Sequence, residues 1–378
     1  MRITRRCLLA GGICSLARGQ GTQDDWQAVG RVVAIGDVHG DRDALAAVLK
    51  MAGVIDDSGR WTGGRDHVVQ VGDIASRGPQ TRQAFDFLMR LEPEAAAAGG
   101  MLHCLIGNHD AGIMYGDLRN VLPEEYGEFR EAGSEELLQR AYEDELASLR
   151  KAGRFPATAE ALDYHRKSWF ERHAPGFVEH QAAFGPNGKY GSWIRRHPAA
   201  IRINGTLFVH GGISPKYVRT TRAEMNRTIQ RELLDPSRLP PGMTTDTQGP
   251  LWYRGFAEED EGPLEAHLQA VLRFHGVNRI VIGHTVTRTA IMPRFGGRVV
   301  NVDIGLSRVY GRPPACLVLT GTSAGVLHRG TKIPVPGRKP GEFEQYLRAV
   351  IAADGAASPV EKLLHDPDRR LLGLDSKK

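Results

Sequence analysis

Short apolar runs, each closed by a polar Gly-Asp, Gly-Asn or His-Gly cluster, recur along this chain. Arg31–Ile35, His67–Val71 and Met101–Ile106 have the length and aliphatic content of buried strands. Helical periodicity fills the gaps between them. Asp41 or Asp43 can cap a helix over Ala44–Met51 that Gly53 ends, and a longer helix over Pro79–Ala98 closes on Gly99-Gly100. Strand, helix, strand, helix, strand in this order predicts parallel strands with helices on the sheet faces.

Residues 111–200 break the alternation. Glu135–Arg150 is amphipathic, with Leu137, Leu138, Ala141, Tyr142, Leu146 and Leu149 on one face. Tyr164–His173 and Val178–Phe184 read as shorter helices. The segment is therefore expected to be a largely helical cap beside a main domain, with His165, His173 and His180 as surface or helix residues. Further strands are expected at Thr206–Val209, Arg279–Ile282, Ala290–Pro293 and Val299–Val302. Ala315–Thr320 and Gly325–His328 read as a hairpin, and Leu239–Pro250 as a loop. Gly21–Gly30 reads as a polar linker. From Gly330 a Pro/Gly-rich linker leads to a tail helix, Glu342–Ala353. The organisation expected is a segment at 1–20, a main domain at 30–330 with the 111–200 insertion, and a linker with tail helix at 331–378.

The polar clusters change this picture from fold to chemistry. GDVHGD (36–41), GDIASRG (72–78) and GNHD (107–110) follow the first three strands, HGG (210–212) follows Thr206–Val209, and GHT (283–285) follows Arg279–Ile282. Any one of them alone reads equally well as a glycine turn whose aspartate bonds its own backbone. Together they put Asp37, His39, Asp73, Asn108, His210 and His284 at the carboxyl ends of successive strands, the edge where open α/β sheets bind ligands. Oxygen and imidazole donors without thiolate suit Mn, Fe or Zn.

The set GDxHG, GDxxxRG, GNHD, HGG and GH resembles the calcineurin-like metallophosphoesterases, in their phosphoprotein-phosphatase branch. The flanking GDLRNV (116–121), FGPNGKYGSWIRRHP (184–198) and VNVDIG (300–305) are similar to the bacterial Shewanella-like protein phosphatases. The resemblance spans about residues 30–330. It implies an α/β four-layer sandwich, two packed mixed sheets flanked by helices, with the helical cap inserted. It also implies two divalent or trivalent metal ions, manganese first, with iron or zinc as alternatives. Asp73 would bridge them, Asp37 and His39 would complete one site, and Asn108, His210 and His284 the other. Two divalent charges less two carboxylates leave about +2 facing a phosphate dianion. In such a site a metal-activated hydroxide attacks phosphorus and His109 protonates the leaving oxygen. Arg77, and Arg254 in LWYRG (251–255), would grip phosphate oxygens. Asp303 would accept a hydrogen bond from a ligand histidine, or simply close a strand end.

One position departs from the family pattern, GDxxDRG. Ser76 stands where the second aspartate would pair with the catalytic histidine, leaving Asp110 as a substitute. The expected activity is hydrolysis of phosphomonoesters on phosphorylated proteins or peptides, with phosphotyrosine favoured. The alternatives are a nucleotide or dinucleoside polyphosphate hydrolase and, from another class, an inactive metal-binding scaffold for phosphorylated partners.

Charge and cysteines narrow the rest. The chain of 378 residues carries a formal +5, yet Arg2, Arg5, Arg6 and Arg18 supply four of those charges and no acid precedes Asp24. The remainder is close to neutral, which excludes the electrostatic footprint of a nucleic-acid binder. Arg5-Arg6 ahead of the apolar Cys7–Ala17 resembles a twin-arginine export signal, so an exported, periplasmic protein is expected, with no membrane insertion after processing; otherwise it is cytoplasmic. Cys7 and Cys14 lie in that segment. Cys104 and Cys316 sit inside apolar runs and read as small core residues.

Overall fold

The computed structural model describes residues 23–235, 242–287, 290–311, 313–355 and 358–365. The expected export segment lies outside them. The first half begins with β1 (Asp25–Trp26), β2 (Arg31–Ile35), α1 (Arg42–Met51), β3 (His67–Gln70), α2 (Thr81–Ala97) and β4 (Met101–Cys104). Strands β2, β3 and β4 are parallel neighbours in register, with Val33 beside Val68 and Val68 beside Leu102. Helices cross over between them, as parallel pairing requires. Asp41 caps α1 by accepting from Ala44 N at 3.0 Å, and Gly53 ends it with φ +69°.

Helices α3 (Asn108–Met114), α4 (Pro123–Gly127), α5 (Ser134–Lys151), α6 (Ala159–Arg172), α7 (Phe177–Phe184) and α8 (Lys189–Arg196) then follow without a strand. Leu138 and Tyr142 of α5 bury against Trp169 of α6 in a small core of their own. The predicted amphipathic face of α5 is the one that packs. His173 lies over Trp169, with ring centroids 4.4 Å apart. His180 is fully buried, ringed by Tyr126, Phe129 and Phe184, with Nε2 3.4 Å from Glu125 Oε1. It anchors α7 to α4, in a helix as expected but not at the surface. Helices α7 and α8 pack on α3, so the insertion braces the helix that carries Asn108 and His109.

The second half supplies β5 (Ala200–Ile203), β6 (Thr206–Val209), α9 (Arg222–Glu232), α10 (Gly255–Glu258), α11 (Glu261–His275), β7 (Arg279–Ile282), β8 (Met292–Arg294) and β9 (Val299–Asn301). It ends with β10 (Ala315–Thr320), β11 (Ser323–His328), β12 (Thr331–Pro334), α12 (Glu342–Asp354) and α13 (Glu361–His365). Two six-stranded mixed sheets result, ordered β1-β5-β6-β7-β9-β8 and β12-β11-β10-β2-β3-β4. One apolar core runs through both, from Val33 and Val68 to Phe208, Val281 and Val300. Strands buried on both faces explain the near-continuous apolar runs read above. Cys104 and Cys316 are buried free thiols within it.

Two segments read as linkers turn out to be sheet edges. Asp25–Trp26 pairs with β5, and Thr331–Pro334 with β11. Both are short and polar, as edge strands are, and Pro334 is tolerated because an edge leaves one row of donors unpaired. Helix α8 was hidden by the glycines and prolines of 184–198.

Candidate metal centre

Four of the five motifs open on a glycine that lets another loop come close. A Cβ on Gly283 would stand 2.5 Å from Asp37 Oδ1, and one on Gly107 would overlap Asp73 Oδ1. The residues that follow adopt left-handed backbone: His39 (φ 47°), Asp73 (56°), Ser76 (69°), Arg77 (66°) and His284 (66°). Such conformations cost about 1–3 kcal/mol each and persist only where neighbours over-determine them. Asp110 provides much of that constraint. Its Oδ2 accepts from Asp73 N (2.9 Å) and Gly107 N (3.0 Å), and its Oδ1 from Ile74 N and Ala75 N (3.0 Å each). Val38 N and His39 N in turn donate to Asp73 O at 2.9 Å, lacing the first two motif loops together.

Asp110 is thus a loop clamp and has no lone pair directed at His109. The expectation that it replaces the missing aspartate fails on this geometry. Asp110→Ala should orphan four buried amides and destabilise the fold by about 3–5 kcal/mol, read as a lower denaturant midpoint, with metal content falling in parallel.

The six expected ligands do converge. Asp73, His210 and His284 form one group, and His39, Asp73 and His109 another, each with donor atoms within 4.8 Å of one another. Asp73 belongs to both. Its Oδ2 lies 3.3 Å from His210 Nε2 and 3.9 Å from His109 Nε2. Asn108 Oδ1 is 3.0 Å from His210 Nε2, and Asp37 Oδ2 is 3.8 Å from His39 Nε2. Asp37 also accepts from His284 N at 3.2 Å through both oxygens, which ties the first motif to the last.

Backbone carbonyls fix the histidine rings. His39 Nδ1 donates to Ala75 O (3.2 Å) and His210 Nδ1 to Val71 O (2.9 Å), which puts the lone pair of each ring on Nε2, where Arg77 Nη1 reaches that of His39 at 3.1 Å. His284 is reversed: Nε2 donates to Trp252 O at 3.1 Å, so its lone pair is on Nδ1. A ring nitrogen held by a carbonyl is the usual support for metal-binding imidazole.

Charges are crowded and dry. Burial, then Asp303 and Asp73, push Asp37 well above the usual carboxylate range. Asp303 and Asp110 are both pushed up to about 6, chiefly by burial, with Asp73 adding to each. Asp73 goes the other way, because His210 and His109 outweigh the burial that alone would raise it. Burial lowers His39 to about 3 and also lowers His284. His210 is raised, Asp73 overcoming its burial.

Asp303 faces Asp37, not a ligand histidine. Its Oδ1 accepts from Gly305 N at 2.9 Å, and its buried Oδ2 has no hydrogen-bond partner among the described residues. Mutually repelling buried carboxylates, an orphaned oxygen and preset imidazole lone pairs fit a pair of cations.

The two arginines also arrive. Arg77 Nη1 donates to Tyr310 Oη at 2.7 Å and sits 3.1 Å from His39 Nε2. Arg254 Nη1 donates to His284 O (2.9 Å) and Thr285 Oγ1 (3.0 Å). Tyr310 was missed from sequence. Its only signal was its place five residues past Gly305, on the loop leaving the same sheet edge. Its neighbour Arg308 is fixed to Asp41 Oδ2 through N (2.6 Å) and Nε (2.9 Å).

The calcineurin-like phosphoesterase family model matches residues 30–288. The chain belongs to that family. This metallophosphoesterase is 29% identical to Shewanella-like protein phosphatase 2 of Arabidopsis thaliana, over 74% of this chain and 72% of that one. It is 28% identical to the uncharacterized protein C1840.07c of Schizosaccharomyces pombe, over 76% of each chain. Among solved structures, a cold-active protein-tyrosine phosphatase of a psychrophilic Shewanella species matches at 27% identity and TM-score 0.64, over 84% of this chain and 83% of that one. The His and Asp clusters suit a dinuclear metal site of the kind the family uses.

Proposed function

We propose that this metallophosphoesterase hydrolyses phosphomonoesters on proteins or peptides, with phosphotyrosine preferred and manganese as the working metal. The observation that carries the reading is the pair of guanidinium groups fixed at the edge of the metal clusters: Arg77, bonded to Tyr310 and close to His39, and Arg254, bonded to the His284 carbonyl and Thr285. Two cations held by Asp37, His39, Asp73, Asn108, His210 and His284 would polarise the phosphoryl oxygens and lower the pKa of bound water from 15.7 towards about 7.

The side chains have separable tasks. Arg77, its guanidinium oriented by Tyr310, and Arg254, oriented by Thr285, hold phosphate oxygens and fix the phosphorus for in-line attack. His109 is held by its own N–H, which donates to Asp73 Oδ1 at 2.8 Å, and its ring supplies the proton to the departing oxygen. Burial holds its pKa below the ordinary histidine value, with Asp73 pulling it back up and Arg77 opposing. No aspartate stands at Ser76 to support the imidazolium. Leaving groups that need little protonation are therefore favoured, and a phenol is one. The tyrosine phosphatase among the structural relatives points the same way.

The full chain, stripped by chelator and reloaded with manganese, iron or zinc, should cleave a phosphotyrosine peptide faster than its phosphoserine twin, and fastest with manganese. Equal rates, or cleavage of diadenosine tetraphosphate in preference to both, would overturn this reading.

A further inference from the structure

Aliphatic side chains stand exposed on two of the loops that touch Arg77. Leu122 and Val309 are 36% and 56% exposed. On one side, Arg77 N donates to Asn120 O at 2.9 Å, two residues before Leu122. On the other, Arg77 Nη1 bonds Tyr310, the residue after Val309. Val309 is not on a loose loop. Arg308 before it is pinned to Asp41, and Tyr310 after it to Arg77. Within the turn, Tyr310 N donates to Ser307 O at 2.9 Å and Val309 N to Ser307 Oγ at 3.3 Å. Pinning both neighbours turns the isopropyl group out to solvent. Tyr115 is a third apolar surface nearby. It caps the end of α3, half-buried, with its hydroxyl in the field of Asp117 and Asp73.

Single exposed aliphatic residues are ordinary on protein surfaces. Two on loops bonded to one phosphate-gripping arginine, one loop at its backbone and the other, a doubly anchored turn, at its guanidinium, have a more specific use. We propose that Val309, with Leu122 and Tyr115, is the contact for the aromatic ring of the substrate, making it a specificity-determining residue for aryl phosphates. The proposal rests on the phosphatase reading above and deepens it. A phosphoserine side chain offers one methylene to such a rim, whereas a phosphotyrosine offers a whole ring of apolar surface. The site would then select phosphotyrosine by binding as well as by leaving-group chemistry, and the two contributions separate in kinetics. Ring contact is made in the bound substrate and persists in the transition state, so it acts on KM. Leaving-group chemistry acts on kcat.

The experiment compares the manganese-loaded full chain with Val309→Ser and Val309→Leu on three substrates: a phosphotyrosine peptide, its phosphoserine twin, and phenyl phosphate. Val309→Ser should raise KM for the phosphotyrosine peptide and for phenyl phosphate by about three- to tenfold, with kcat within about twofold. KM for the phosphoserine peptide should stay unchanged, and Val309→Leu should retain parental values throughout. Equal metal content and equal unfolding midpoints establish that each variant is folded. A KM rise shared equally by both peptides but absent for phenyl phosphate would mean that the rim reads the peptide chain, and would overturn the proposal. So would no change at all. If the parent cleaves phosphoserine and not phosphotyrosine, the aryl reading itself fails; if the parent cleaves phosphotyrosine and Val309→Ser is silent, only the ring contact fails.

Discussion

Asp73→Asn should leave the chain folded but with fewer than one metal ion bound, and turnover should fall by about 10³-fold or more. Asp73 is the only residue common to both clusters, and its Oδ2 faces His210 and His109 at once. The substitution removes one negative charge from the point where two cations would meet. Its backbone N–H still bonds Asp110, so the loop should survive, although the left-handed conformation at this position suits Asn as well as Asp. Metal analysis beside a steady-state assay decides the matter. Two ions per chain with a parental rate would show that another residue bridges.

Ser76→Asp should raise the rate on phosphoserine peptides by about tenfold and leave the phosphotyrosine rate within about a factor of two. A phenolate leaves as the base of an acid of pKa about 10. A serine alkoxide is far more basic and depends on the proton from His109. Among the described residues, Asp110 and Asp117 are the acids near that histidine besides the candidate metal ligands, and both are engaged elsewhere. Asp110 spends all four of its bonds on backbone amides. Asp117 holds Arg119 with both oxygens, at 2.7 and 2.6 Å, although its charge still reaches His109. Ser76 is buried beside these loops, so a carboxylate placed there is dry and effective. The ratio of kcat/KM for the two peptide classes, in parent and variant, reads the effect. An unchanged ratio would mean that His109 does not limit alkyl cleavage.

What was legible in the chain follows its physics. Strands buried on both faces write themselves as apolar runs, so β2, β3, β4, β6 and β7 were readable, and with them the six residues that converge at the candidate metal centre. Edge strands carry no such signature: Asp25–Trp26 and Thr331–Pro334 owe their conformation to a neighbour's hydrogen bonds, which local sequence does not record. Helix α8 was obscured because its start is set by tertiary packing of Trp193 and Ile194, against the local preference of Gly185, Pro186, Gly188 and Gly191. Asp110 was misjudged, and of the two roles open to Asp303 the structure shows the strand-end one, for one common reason. Proximity in a motif says which residues meet, and only geometry says which lone pairs are already taken. Tyr310 escaped because its importance comes from Arg77, more than two hundred positions away.

The hydrogen bonds from His284 N to Asp37 join positions 247 residues apart, one on each sheet. Metal uptake should therefore come late in folding, since no single motif carries all six candidate ligands and the seam between the sheets must close first. Bound ions would act as a rivet across that seam. Chelation should loosen both carboxyl edges together, seen as hydrogen exchange rising in concert around residues 36–41 and 283–285, while the cap core around Tyr142 and Trp169 stays protected.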